Sequence, residues 1–204
     1  MSENRKEEII LAMLKLASQK GLGAVSMNMI AEEIGIKKPS LYNHFKSKNE
    51  IVKEMYLFLR DKAQKETKTQ MDVSIFEKNS AYEILSCLVS NYIKLSCEEN
   101  MYMFYKVIYA ERTISSEAAK IITTESEKMI NATKQVFLVL ENKKLLQFEN
   151  IEISALSFAL TIHALIDYSF DKCLSNDKVS MVDVALINEY IANFCIEHKI
   201  KGEI

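Results

Sequence analysis

The densest concentration of binding chemistry lies at residues 36–48, IKKPSLYNHFKSK, which hold four lysines, a histidine, a tyrosine and an asparagine and no acidic residue. Ammonium groups at this density attract anions, and phenol, hydroxyl and amide groups beside them can donate to phosphate oxygens or to base edges. Nothing comparable points to catalysis. The chain shows no nucleophile and base at a recognisable spacing, and no Gly-rich phosphate loop. His44, His163 and His198 are scattered, and Cys87, Cys97, Cys173 and Cys195 are widely spaced with no CxxC pair. That argues against a zinc site or a cysteine-based redox motif. A binding protein that is not an enzyme, with neither metal nor cofactor, is expected. The cysteines fall inside apolar helical patterns and read as reduced core residues; a redox sensor is the lesser alternative.

The elements that must position this stretch are helices. Four glycines and one proline in 204 residues leave a strand-and-turn fold short of its usual turn residues. An all-α chain of about nine helices follows. RKEEIILAMLKLASQKG repeats Ile10, Met13, Leu14 and Ala17 at helical steps and ends at Gly21 and Gly23, which reads as a first amphipathic helix. Ser26 can cap a short second helix, MNMIAEEI, ending at Gly35. Pro39 suits the first turn of a third, in which Leu41 and Phe45 form an i, i+4 apolar pair. Ser47 and Glu50 form a capping box opening a fourth helix with Ile51, Met55 and Phe58 or Leu59 inward. Further capping signals stand at Ser80 with Glu83, at Ser115 or Ser116, at Asn150, and at Ser180 with Asp183.

Charge divides the chain in the same way. Residues 1–60 carry ten Lys or Arg against seven Asp or Glu, net +3, and the remaining 144 carry sixteen against twenty-one, net −5. The organisation expected is a three-helix domain over residues 1–48, a fourth helix over 48–70 that connects, and a helical domain over 75–204. Two short helices about a Gly-containing turn form a helix-turn-helix, whose second helix enters the DNA major groove. With Leu41 and Phe45 turned inward, Lys38, Ser40, Tyr42, Asn43 and His44 face outward.

The run SMNMIAEEIGIKKPSLYNHFKSKNEIV resembles the DNA-binding segment of the tetracycline-repressor (TetR) family of bacterial transcription regulators. The matching features are Ser26, Ile30-Ala31, Gly35 and Leu41-Tyr42-x-x-Phe45 followed by Lys48; they cover roughly the first 60 residues. The resemblance implies phosphate contacts from Ser26, Tyr42 and Lys48, with Lys48 beside a helix N-terminus. It places Lys37, Lys38, Ser40, Asn43 and His44 nearest base edges, with Asn28 also on the DNA-binding side. Pro39 is open to two readings, a surface for a thymine methyl or simply a helix starter.

Helix-turn-helix proteins commonly bind as dimers on pseudo-palindromic sites with half-sites about 34 Å apart. The last two predicted helices, near 151–174 and 181–198, are candidates for that interface, because IEISALSFALTIHALIDYSF is apolar almost all round. Between the termini, Tyr92, Met101, Tyr102, Met103, Phe104, Tyr105 and Tyr109 crowd into eighteen residues. They read either as plain core or as a pocket with polar tyrosine tips. The family generally binds a small molecule there; on that reading Tyr92, Phe104, Tyr105, Tyr109, Phe137, His163 and Asp167 would line a site for an apolar or aromatic effector. The expected function is a ligand-released, dimeric DNA-binding regulator, with repression as the expected mode because it is the family's commoner one. The alternative is a DNA-binding adaptor whose second domain binds a protein partner and has no effector pocket. The most apolar run, residues 156–166, reads as too short for a bilayer, and the N-terminus has no apolar leader, so a cytoplasmic protein without membrane contact is expected.

Overall fold

The computed structural model describes residues 2–68, 74–174 and 182–200. Among the described residues ten helices follow in order: α1 (Ser2–Lys20), α2 (Met27–Glu33), α3 (Lys38–His44), α4 (Lys48–Lys68), α5 (Ile75–Lys78), α6 (Ala81–Ser96), α7 (Glu99–Glu111), α8 (Ser116–Asn142), α9 (Ile151–Leu174) and α10 (Val184–Glu197). The tenth, beyond the nine expected, is the single turn α5.

The ends are set by local chemistry. Gly21 stops α1 at φ 81°, and its N–H reaches Ala17 O at 2.9 Å. Gly35 ends α2 at φ 68°, and the next N–H, of Ile36, reaches back to Ala31 O at 2.9 Å. Both use the left-handed conformation that glycine adopts without a Cβ penalty. The box of Ser80 and Glu83 at the start of α6 is reciprocal: Ser80 N donates to Glu83 Oε2 at 2.8 Å, and Glu83 N donates to Ser80 Oγ at 3.3 Å. Ser115 rather than Ser116 caps α8, and Asn150 caps α9. At α10 the cap is Asp183, which accepts from Leu186 N at 3.1 Å; Ser180 lies outside the described residues. Glu98, not anticipated, caps α7 by accepting from Met101 N at 3.0 Å.

The chain divides into two compact units that do not follow one cut in sequence. The first comprises Met1–Gln70 with Leu95–Thr123; the second comprises Met71–Lys94 with Thr124–Ile204. The core of the first gathers Ile9, Met13 and Leu14 of α1, Ile30 of α2, Leu41 of α3, Ile51 and Met55 of α4, and Phe104 and Ile108 of α7. Thus α7, read from sequence as part of the second domain, contributes to the core around the N-terminal helices. The core of the second unit is built on phenylalanine. Phe137 stacks on Phe148 at 4.5 Å and meets Phe158 edge-on at 5.5 Å, and Phe158 meets Phe194 at 4.8 Å.

Two expectations require correction. Cys87 and Cys97 are exposed, so these two are not core residues, whereas Cys195 is half-buried and packs against the core of the second unit; in α6 the buried stripe of Ala81, Ile84, Leu85, Val89 and Ile93 leaves Cys87 on the opposite side. The Cys173 side chain lies outside the described residues. Burial pushes the Cys195 thiol up to about 11, which keeps it protonated and unreactive at neutral pH. The run 156–166 sits in a longer helix, and Ile151–Lys172 is long and apolar enough by length and composition to cross a membrane. Spaced Ser, Thr and His residues hid that length in the sequence. In the structure one side of α9 (Ala155, Phe158, Ile162 and Ile166) is packed into the core of the second unit.

Candidate nucleic-acid interface

The helix pair α2–α3 is assembled from its apolar side outward. Ser26, with extended backbone, caps α2 by accepting from Met29 N at 3.3 Å. Ile30 and Ala31 are buried, and so are Leu41 and Phe45, each with 0% of its surface exposed. Complete burial of a leucine and a phenylalanine anchors a helix of only seven residues that would not be stable in water by itself. Pro39 stands in the first turn of α3, and Phe45 closes the helix by donating its N–H to Leu41 O at 3.0 Å.

That anchoring leaves one side of α3 to solvent. Lys37, Lys38, Pro39, Ser40, Tyr42 and Asn43 are exposed and His44 is half-buried. The neighbouring carboxylates of α2 are engaged elsewhere: Glu32 accepts from Asn28 Nδ2 at 2.5 Å, and Glu33 pairs with Lys15 at 2.7 Å. Lys37, Lys38 and Lys46 have no ion pair among the described residues. A helix displaying uncompensated cations with a phenol and an amide beside them is suited to a polyanion.

Three of the sequence-derived residues have partners within the protein. The Ser26 oxygen accepts the capping bond, which leaves its hydroxyl proton free to donate outward. Asn28 spends one amide N–H on Glu32. Lys48 donates to Leu22 O at 2.9 Å and to Gly23 O at 3.4 Å, which leaves one of its three N–H donors for an external anion. Glu50 completes the box at α4 on a different donor from that expected, since its carboxylate accepts from Lys46 N at 2.6 Å. Lys6 of α1 was not singled out from the sequence; its ammonium stands 5.4 Å from the Phe45 ring centroid, at the end of α3. Only the packing of α1 on the other helices brings it there, and no local motif signals it.

The seven residues expected around an effector are divided between the two units. Phe104, Tyr105 and Tyr109 belong to the first. Phe104 is 1% exposed and stacks at 6.2 Å on Tyr56 of α4, and Tyr105 and Tyr109 continue the row along α7 at 5.8 and 6.4 Å. Tyr92, Phe137, His163 and Asp167 belong to the second. Phe137 is at the centre of the phenylalanine core, whereas Tyr92, His163 and Asp167 come together. The Tyr92 and His163 rings are 6.4 Å apart, and His163 Nδ1 is 3.5 Å from Asp167 Oδ2. Among the described residues no group of three His, Cys, Asp or Glu could hold a metal ion.

Residues 9–55 match the family described as bacterial regulatory proteins, tetR family. The fold of nearly the whole chain recurs in solved structures. A protein of Mesorhizobium loti described as a TetR-family transcriptional regulator superposes with a TM-score of 0.72 at 19% identity, covering 98% of this chain and 99% of its own. A Clostridium perfringens protein described as a fatty acid metabolism regulator gives 0.70 at 19%, covering 95% and 100%. A transcriptional regulator of Saccharomonospora viridis, in complex with choline, gives 0.66 at 19%, covering 98% and 100%. At such identities the likeness is one of fold.

Proposed function

From the match of residues 9–55 to the tetR family of bacterial regulatory proteins, and a fold shared with a protein described as a TetR-family transcriptional regulator, we propose that this protein is a dimeric, ligand-responsive repressor. The observation that carries the DNA-binding part is α3 itself, which is fixed from behind by Leu41 and Phe45 and, together with its cap residue, displays Lys37 and Lys38 without an ion pair among the described residues. Lys37, Lys38, Ser40, Asn43 and His44 read base edges, and Tyr42, Ser26 and the remaining donor of Lys48 contact phosphates.

Dimerisation is supported by an apolar stripe on α9. Ile153, Leu156 and Leu160 follow each other at helical spacing and are 59%, 38% and 43% exposed, with Tyr168 two turns further on, while Val184 and Ile196 of α10 are also exposed. Apolar side chains in such a row are most simply covered by the same row on a second copy. A two-fold pair presents two copies of α3 to successive turns of a pseudo-palindromic operator.

For the effector, Tyr92, His163 and Asp167 offer a ring, an imidazole and a carboxylate in one place, which suits an aromatic molecule with a polar group. An effector acts only through different affinities for the DNA-competent geometry and an incompetent one. The adaptor reading draws on the tight phenylalanine packing around Phe137, which is core in its own right. The test selects duplexes from a random pool with the full-length protein, then titrates binding against salt and against candidate effectors. Recovery of a palindrome released by a small molecule supports the sensor; a palindrome that no small molecule releases favours the adaptor.

A further inference from the structure

Residues 21–25, between α1 and α2, form no regular element, yet side chains from two other helices grip them. Lys48, the first residue of α4, donates from Nζ to Leu22 O at 2.9 Å and Gly23 O at 3.4 Å. From the other direction Glu111, the last residue of α7, accepts from Gly23 N at 3.1 Å through Oε1. The cation and the carboxylate therefore act on the two polar groups of one residue, and charge-assisted bonds arranged in series reinforce one another. The turn held in this way delivers the chain to Ser26, where α2 starts, and α2 and α3 pack as one unit about Ile30 and Leu41.

We propose that Glu111 and Lys48 are positioning residues for DNA recognition, clamping the α1–α2 turn so that Lys38, Tyr42 and Asn43 are held in reading geometry. The proposal rests on the DNA-binding role assigned above. Glu111 is an acid in the basic unit and touches no residue of α3 in any bond described. Simple electrostatics makes its removal strengthen attachment to DNA by raising the local positive charge; the positioning role makes its removal weaken it. The two accounts differ in sign. Gly23 cannot serve for the test, because the donor is its backbone N–H; an added Cβ would meet Glu111 Oε1 at 3.9 Å, an ordinary contact.

The experiment uses full-length wild-type, Glu111→Ala and Glu111→Gln proteins on the duplex selected by the wild type and on a random-sequence duplex. Glu111→Ala is expected to lose about tenfold in affinity for the selected duplex, in line with removal of a charge-assisted hydrogen bond. On the random duplex it should lose nothing, and its salt slope should match the wild type because every phosphate-binding group is retained. Glu111→Gln, which keeps an acceptor oxygen, should return most of the affinity. Glu111→Ala binding the selected duplex as tightly as the wild type, or more tightly, overturns the proposal. If Glu111→Ala melts at a lower temperature, amide exchange at Gly23 in the wild type decides: slowed exchange that accelerates in the variant upholds the clamp, and exchange at the rate of an open loop overturns it. A wild type that selects no duplex at all contradicts the DNA-binding role instead, a separate and distinguishable result.

Discussion

The two units bury and expose opposite chemistries. In the first, mainly aliphatic residues from several helices hold a short helix whose outer side is cationic and polar. In the second, a phenylalanine cluster fills the core and the outer side of α9 is apolar. The surface left uncovered is what motivates the proposed partners: lysines without an ion pair among the described residues suit a polyanion, and a stripe of Ile and Leu suits another apolar surface.

Core substitutions break the comparison most severely, and they should break it differently. Phe45→Ala and Phe137→Ala each remove a fully buried ring, a loss of about 3–5 kcal/mol by denaturant unfolding. Phe45→Ala should also abolish operator binding, since α3 loses one of its two anchors. Phe137→Ala should leave binding measurable wherever the protein remains folded, and equal loss of binding in both variants would remove the distinction between the units. A smaller effect is expected from Leu160→Glu, which places a charge in the apolar stripe of α9. The dimer should dissociate on sizing at micromolar concentration, with the melting temperature extrapolated to the monomer unchanged and operator affinity down by more than about tenfold as the second half-site is lost. A dimer that withstands Leu160→Glu would place the interface elsewhere.

The smallest effect concerns pH. Bonds from the Ser80 backbone and then its hydroxyl hold the Glu83 carboxyl below its usual value of 4.5. The folded value is the depressed one, so the stability linked to this box is fully present above the unfolded value and is lost as pH falls through the folded one. Glu83→Gln should therefore flatten the acid limb of the stability profile slightly below pH 4.5, and an unaltered limb would show that the box has no linkage to folding.

Legibility in the sequence followed the range of the interactions. Ser26, Gly35, Pro39, Ser80 and Asn150 act on neighbours within a turn, so their roles could be read along the chain. Leu41 and Phe45 announced their inward side by i, i+4 spacing. The allegiance of α7 could not be read this way, because apolar periodicity says that Phe104 and Ile108 are buried but not against which helix. The same limit applies to Lys48, whose carbonyl partners lie 25 and 26 residues away, and to Glu111, whose partner is 88 residues away. The side of α6 that carries Cys87 was legible in the sequence, against the expectation of a core cysteine: Ala81, Ile84, Leu85, Val89 and Ile93 recur at helical steps and mark the opposite side as the buried one.

The most direct test of the central claim, that a cationic α3 anchored by Leu41 and Phe45 binds duplex DNA, is the salt dependence of binding for wild-type protein and Lys38→Ala. The wild type should show a steep linear fall of log affinity with log salt, and Lys38→Ala should alter preference among operator sequences or reduce the slope by roughly 0.9 for each phosphate that it no longer neutralises. Attachment insensitive to salt in the wild type, or a variant identical to it in slope and in sequence preference, would contradict the account.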